Sequence, residues 1–216
     1  MCIRTSELSK LRDAVKSEVS EKRYRHILGV EECAVRMAKC FPDMIDGENV
    51  LIIRAAALLH DVTKDKGSDW QKNFITEIGV EIPSGDENSH ELWHSFTAPA
   101  YISLKYPDFS DERILSAVYK HATGDEVMSS VDKIICLADY IEDGRRYESC
   151  VSVRNEFFEF DFLSATAEER IRHLDKCLLR SLEFVKAHLD DNGERLSDKT
   201  KRAMQALQKE INSTEV

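Results

Sequence analysis

The sequence predicts an all-α fold in the form of a helical bundle. Two observations lead to this prediction: the 216 residues include only four prolines and eight glycines, and apolar side chains recur every three or four positions over long stretches. Few turn-forming residues favour helices over the short strands of a sandwich or barrel. Apolar side chains at that spacing share one face of a helix. The length suits one domain, or one domain with a helical extension.

The first half of the chain contains two predicted amphipathic helices and one buried helix. Residues 5–20 are predicted to form a short amphipathic helix that is capped by Ser6. Residues 22–41 form a stronger one, because five side chains repeat at helical spacing along one face: His26, Val30, Cys33, Met37 and Phe41. Residues 48–60 are apolar nearly all round, which is typical of a helix at the centre of a domain.

Shorter helices and loops are predicted for the rest of the chain. Pro99 is expected in the first turn of its helix, where proline is tolerated. The predicted helices cover residues 69–78, 95–105, 111–121, 129–142, 149–163 with a turn, 166–189 and 196–211. We expect residues 1–163 to form the functional domain and residues 164–216 to form a helical extension, packed on the core or on a second subunit.

The charge and the cysteines limit the possible partners and the location. The net charge of −10, without a basic stripe, argues against a generic nucleic-acid binder, so phosphate groups must be met locally. None of the six cysteines forms a CxxC pair, which indicates reduced thiols. There is no signal-peptide core and no run of roughly 18 apolar residues that could span a membrane. The expected location is therefore the cytoplasm.

Histidines and aspartates fall on or beside the apolar faces of several predicted helices. Buried ionisable groups are costly unless they are paired or bound to a metal, and several in one small domain need a common explanation. Imidazole nitrogens and carboxylate oxygens suit zinc, iron, manganese, cobalt or nickel. The candidate ligands are His26, His60, Asp61, His94, His121 and Asp139.

Six candidate ligands exceed the needs of one hydrolytic metal and fit two metals that share the carboxylate of Asp61. A water between two such ions is acidified toward a pKa of ~7 and can attack phosphorus while the ions neutralise phosphate oxygens. Taken alone, a histidine such as His26 is more often a hydrogen-bonded core residue than a metal ligand. His94 is favoured as a ligand over the nearby His90, which is expected at the surface.

The remaining histidines, His173 and His188, lie in charged amphipathic segments and are expected to be solvated. Arg23 precedes His26 by three residues and is also expected at the surface.

The pattern formed by His26, His60-Asp61 and Asp139 resembles that of HD-domain phosphohydrolases. It is most similar to the YqeK-type symmetrical bis(5′-nucleosyl)-tetraphosphatases. The resemblance covers roughly residues 8–160, and its most specific part joins HATG to LADYIEDGR. The segments that carry it are 23–38, 56–64, 92–101 and 119–145.

This resemblance implies a helical bundle with a two-metal site, usually iron, that hydrolyses diadenosine tetraphosphate to two ADP. By motif, one metal would be held by His26, His60, Asp61 and Asp139, and the other by Asp61, His94 and His121. The substrate would be met by Lys64 (at phosphate oxygens or the attacking water), Thr123, Gly124 and Arg145. The implied partner is a small dinucleoside polyphosphate, and a homodimer is possible.

Other interpretations of these substrate residues stay open. Lys64 lies in a run of charges and could be plain solvated surface, and Gly124 could simply end a helix. The choice of Arg145 over the adjacent Arg146 rests on the motif position alone. Phe96 stands where the family often has a small, glycine-containing segment, and it either narrows the pocket or packs away from it.

Three other functions are compatible with parts of this pattern. An HD-domain nucleotidase, or a hydrolase of hyperphosphorylated guanosine or cyclic nucleotides, would use similar chemistry with a different pocket. A mononuclear site would favour nucleotidase work. A nucleotide-sensing module would retain an idle site. A di-iron oxygenase is disfavoured, since such bundles draw on Glu-x-x-His pairs, which the proposed site does not use.

Overall fold

The protein folds around one central helix. The computed structural model describes residues 3–213. Over this range the chain forms ten α-helices and no strand, which confirms the all-α prediction. Two short 3-10 turns, His90–Leu92 and Pro107–Phe109, flank the fifth helix. The helices are α1 Thr5–Lys16, α2 Glu21–Ala38, α3 Gly47–Leu59, α4 Gly67–Ile78, α5 Trp93–Lys105, α6 Glu112–Lys120, α7 Ser130–Ile141, α8 Glu148–Glu159, α9 Ala167–Asp191 and α10 Asp198–Ser213.

Helix α3 lies at the centre of the bundle, as its apolar composition predicts. It packs against α1, α2, α6 and α7, and every residue from Ala55 to Leu59 is completely buried. The three consecutive alanines at 55–57 let neighbouring helices approach closely on more than one side, because their side chains are small. The end of α3 is therefore a fixed point on which the following residues, His60 and Asp61, are mounted.

Two details of the predicted helix starts are wrong. Ser6 does not cap α1: the helix begins at Thr5, and the carboxylate of Glu7 accepts the backbone N–H of Arg4 at 2.7 Å. Helix α5 begins at Trp93, two residues earlier than predicted, so Pro99 lies inside the helix and not in its first turn. The earlier start also places His94 within the first turn of α5.

The C-terminal helices pack on the core of their own chain. Helix α9 lies against α7 and α8, and α10 lies against α9. Lys133 of α7 joins them through ion pairs to Asp175 at 2.8 Å and Glu210 at 2.7 Å. One contiguous apolar core contains residues on both sides of position 163. The division of the chain at that position stays a prediction.

The region around His173 differs from the expectation of a solvated histidine. The ring of His173 is partly buried and stacks on Phe160 with centroids 4.1 Å apart. The aromatic residues of the FFEFDF segment (157–162) surround it, which explains why burial lowers its pKa. By contrast, His90 and His188 are exposed.

The remaining expectations about thiols and membranes concern the described residues. The five described cysteines are free, four of them buried, and Cys2 lies outside the described residues. No helix within residues 3–213 is long and apolar enough to cross a bilayer.

Candidate metal centre

The six predicted ligands converge at one place, where the ends of several helices meet. His26 comes from the first half of α2, Asp139 from the last turn of α7 and His94 from the first turn of α5. His60 and His121 directly follow the last residues of α3 and α6. These segments are far apart in sequence, so the cluster is a product of the packing and not of one local motif.

Asp61 lies between two pairs of histidines. Its Oδ2 atom is 3.6 Å from Nε2 of His26 and 3.5 Å from Nε2 of His60. Its Oδ1 atom is 3.2 Å from Nε2 of His94 and 3.6 Å from Nε2 of His121. Asp139 completes the first group, with Oδ1 at 3.0 Å from Nε2 of His26. Each oxygen of one carboxylate therefore faces its own pair of imidazoles.

The outer nitrogens of these rings are held by acceptors. Nδ1 of His60 donates to the carbonyl of Ala57 and Nδ1 of His121 to that of Val118, both at 2.6 Å. Nδ1 of His94 lies 2.8 Å from the carbonyl of Glu91. Such outer bonds fix the tautomer and leave the Nε2 lone pair for a metal.

The six side chains are arranged better for binding metal ions than for hydrogen bonding with one another. Nε2 of His94 lies 3.1 Å from Nε2 of His121, and Nε2 of His60 lies 3.4 Å from Nε2 of His26. Nδ1 of His94 and Nδ1 of His121 both face carbonyls, so their Nε2 atoms oppose two lone pairs, which repel unless a cation lies between or beside them. Between His60 and His26, a proton on His26 or a metal ion fills the same place. Two groups of three residues have ligand atoms mutually within 4.8 Å, namely His26, His60, Asp139 and His60, Asp61, His121.

The protonation states agree with ligand chemistry. Burial lowers the pKa of His60 to about 3 and that of His94 to about 4, so both rings are neutral at pH 7. The pKa of Asp61 lies well below its usual value, since the surrounding histidines outweigh the cost of burial. At His26 the hydrogen bonds to Asp139 and Glu142 outweigh burial and raise the pKa to about 9. A proton and a metal ion therefore compete for the same nitrogen.

Glu142 is a part of the site that the sequence analysis missed. Its Oε1 lies 3.2 Å from Nδ1 of His26, and its Oε2 accepts the backbone N–H of Gly144 at 2.5 Å. The carboxylate thus orients the His26 ring from behind, a support typical of metal-bound histidines. Its position three residues after Asp139 was the available signal, because residues at that spacing lie near one another at the end of a helix.

Gly29 leaves the space that the Glu142 carboxylate occupies. A Cβ atom at this position would lie 2.5 Å from Oε2 of Glu142. We expect Gly29→Ala to push the carboxylate away from His26 and to weaken metal affinity by about tenfold, the lower end of the range for such supporting groups. Metal competition titrations with far-UV circular dichroism would measure this. Gly47→Ala is the control, since nothing lies within 4 Å of a Cβ there, and equal affinities of the two variants would contradict the prediction.

Three cations border the cluster. Arg23 is not at the surface as expected: its Nη1 lies 2.5 Å from Oδ2 of Asp61, with one quarter of the side chain exposed. The reason is that Arg23 lies one turn before His26 on the same face of α2.

The other two cations are Lys64 and Arg145. Nζ of Lys64 lies 3.0 Å from Nδ1 of His94 and donates to the carbonyl of Glu91 at 2.9 Å. Nη2 of Arg145 donates to Oδ1 of Asp139 at 2.8 Å.

Thr123 and Gly124 lie beside the cluster and do not line its cavity. Thr123 is completely buried, and its Oγ1 donates to the carbonyl of Gly124. Gly124 has a φ of 66°, a left-handed conformation that favours glycine, and its N–H donates to the carbonyl of Lys120. This geometry is that of a helix end, the alternative left open for Gly124.

A cavity of about 550 Å³ opens onto the cluster at Asp61, His94 and His121. Its opposite wall comes from α9, through Leu182, Phe184, Val185 and Leu189, and Tyr140 and Tyr147 add aromatic surface. The sequence analysis found nothing recognisable in α9, although residues 182, 185 and 189 have helical spacing. Phe96 is outside this lining: it packs away from the cavity, with its ring 5.4 Å from that of Tyr119.

Comparison with known proteins places the chain in a family. The model of the HD domain matches residues 23–144, a segment that contains all six candidate ligands. The chain belongs to the HD-domain family. Within it, similar relatives are the symmetrical bis(5′-nucleosyl)-tetraphosphatases of Staphylococcus aureus, 30% identical over 75% of this chain and 80% of that protein, and of Bacillus subtilis, 32% identical over 65% and 72%. Within the HD-domain family, the chain is therefore similar to the symmetrical bis(5′-nucleosyl)-tetraphosphatases.

A solved structure is also similar over nearly the full length. The crystal structure of a predicted HD superfamily hydrolase involved in NAD metabolism from Clostridium acetobutylicum is 30% identical, with a TM-score of 0.77. It covers 93% of this chain and 96% of the other. The similarity therefore extends beyond the HD-domain match and includes the C-terminal helices.

Proposed function

We propose that this chain hydrolyses diadenosine tetraphosphate symmetrically to two ADP in a metal-dependent reaction. The observation that supports this most is the position of Asp61, whose two oxygens each face a pair of histidine Nε2 atoms at the floor of a cavity. The names of the relatives support the choice of substrate.

The metal ligands are part of the proposal. We propose that two metal ions are bound, and that iron is the natural metal, although manganese, cobalt, nickel and zinc suit the same donors. Bound ions would supply an acidified water and neutralise phosphate oxygens. One ion would be held by His26, His60, Asp61 and Asp139, and the other by Asp61, His94 and His121.

The chain's own cations would position the phosphates. Arg23, Lys64 and Arg145 all line the cavity, and each lies against a ligand residue, so a phosphate at the cluster would lie within their reach. Burial lowers the pKa of Lys64, and a phosphate beside it would favour its charged form. Thr123 and Gly124 lie outside the lining, so we propose that they hold the turn that follows His121.

Lys64→Ala is expected to lower the turnover of diadenosine tetraphosphate by about a hundredfold, the scale of one lost preorganised donor. The metal content should not change, because Lys64 donates no electron pair to the cluster. Steady-state kinetics and metal analysis of the same preparation would check both statements. Lys66→Ala is the matched control, since Lys66 lies over the Trp70 ring and outside the cavity. Loss of metal from the Lys64 variant would mean that its role is structural.

The proposed function is tested by anaerobic metal analysis together with product analysis on diadenosine tetraphosphate. We expect close to two metals per chain and ADP as the sole product. One metal, or AMP with ATP as products, would favour a nucleotidase or another nucleotide phosphohydrolase. Tight nucleotide binding without turnover would favour a sensing module.

Two further statements stay predictions. A cytoplasmic location is supported by the five free thiols among the described residues. A homodimer is compatible with the sequence, and sedimentation at micromolar concentration would measure it.

A further inference from the structure

A second hollow adjoins the cavity on the other side of the metal cluster. It has a volume of about 1060 Å³ and is lined by the start of α2 and by the loop at 144–147. Arg23, Arg145 and Tyr147 line both spaces, and His26 reaches the second one directly. The cluster therefore lies between two adjacent spaces. We call the second one the basic groove, after five of its lining residues: Lys22, Arg23, Arg25, Arg145 and Arg146.

The charge of the basic groove is opposite to that of the chain. The whole chain has 40 acidic and 30 basic residues, yet the groove has five basic residues and only two carboxylates, Asp65 and Glu142. Both carboxylates are already engaged. Asp65 accepts the backbone N–H of Ser20 and pairs with Arg23, and Glu142 holds His26 and Gly144.

Three of the groove cations are available to a ligand. Lys22 and Arg146 are exposed, and neither forms an ion pair with another residue of the range 3–213. Nε of Arg25 lies 3.8 Å from the carboxylate of Glu21 and donates to its backbone carbonyl at 3.4 Å. Both side chains are at least 70% exposed, and such surface pairs contribute little. A concave surface with unpaired charge of one sign attracts ions of the other sign.

We propose that the basic groove binds the second ADP half of the substrate, the half that lies across the metal cluster from the cavity. This inference rests on the proposed function. A cut between the middle phosphates requires a place for one nucleotide on each side of the reacting phosphorus. The cavity has the apolar and aromatic wall that suits a base, whereas the groove has the cations that suit phosphates. Lys22, Arg25 and Arg146 would thus contribute to the recognition of a chain of four phosphates.

Charge reversal in the groove tests this proposal. Lys22 and Arg146 are replaced together by glutamate, and a control carries Arg202→Glu with Lys209→Glu, two exposed residues of α10 with the same change of net charge. For diadenosine tetraphosphate we expect the groove variant to have a KM at least tenfold higher with kcat within twofold, and a weaker salt dependence of kcat/KM. The control should stay within twofold of the wild type.

Calorimetric titration of the metal-loaded proteins with ADP separates this inference from the proposed function. We expect two ADP per chain in the wild type and one in the groove variant. If the groove variant hydrolyses the substrate symmetrically with a normal KM and binds as many ADP molecules as the wild type, the groove does not bind the second ADP half. The proposed function would still stand. A different outcome is that the wild type does not cleave the substrate, while the groove variant binds one ADP fewer than the wild type. This outcome would overturn the proposed function and leave the groove as a phosphate-binding surface.

Discussion

Replacing Asp61 with alanine is expected to abolish hydrolysis of diadenosine tetraphosphate and to release the two metal ions that we propose. Asp61 is the one described carboxylate that faces both histidine pairs, with oxygens 3.2 to 3.6 Å from the four Nε2 atoms. Alanine removes an anionic ligand from each group at once and leaves Arg23, now unpaired at this position, beside the neutral rings. We expect kcat/KM to fall by at least about a thousandfold, the upper scale for a single preorganised group.

Metal analysis and kinetics on the same Asp61→Ala preparation check this result. Asp65→Ala is the matched control, because Asp65 also pairs with Arg23 but faces no histidine of the cluster. We expect the control to retain both metals and activity within about threefold, because Asp65 offers no ligand atom to the cluster and its contact with Arg23 is long, at 3.4 Å. Near-normal activity of the Asp61 variant would contradict the shared-carboxylate arrangement.

The sequence identifies the six residues that converge in the structure because each has a local signal. His26 lies on an apolar face, and His60 and Asp61 follow the most apolar helix. Arg23 and Glu142 had weaker signals, three residues from His26 and Asp139. Spacing shows which side chains share a helix face, but not which other helix that face meets. The convergence of both residues on His26 and Asp61 depends on the packing of α2 against α3 and α7.

The cavity wall supplied by α9 also could not be predicted from residue spacing. Its apolar residues at 182, 185 and 189 fit any buried helix face, and only the structure shows that part of this face lines a cavity. The same holds for His173, whose partners precede it by eleven to sixteen residues across a turn. Tertiary packing decides in both cases whether an apolar surface is core or pocket.

Removing the metals is expected to lower the thermal stability of the wild-type chain substantially. Folding gathers six ligand side chains that the unfolded chain disperses, so the ions bind the folded state preferentially. At a free metal concentration one thousand times Kd, such binding stabilises a protein by about 4 kcal/mol. For a chain of this size, each kcal/mol shifts Tm by about 2–4 °C, so a chelator should lower Tm by roughly 8–16 °C.

Thermal unfolding with and without chelator, under anaerobic conditions, measures this shift. The Asp61→Ala variant is the control, because it lacks the shared carboxylate and should show a difference below about 3 °C, which is less than 2 kcal/mol on the same scale. The comparison concerns the chelator effect within each protein, so any loss of stability caused by the substitution itself cancels. The wild type also loses favourable neighbours when the ions leave: Nε2 of His94 and of His121 then face each other at 3.1 Å. An unchanged wild-type Tm would mean that the donors form a self-sufficient hydrogen-bonded cluster and that the two-metal proposal is wrong.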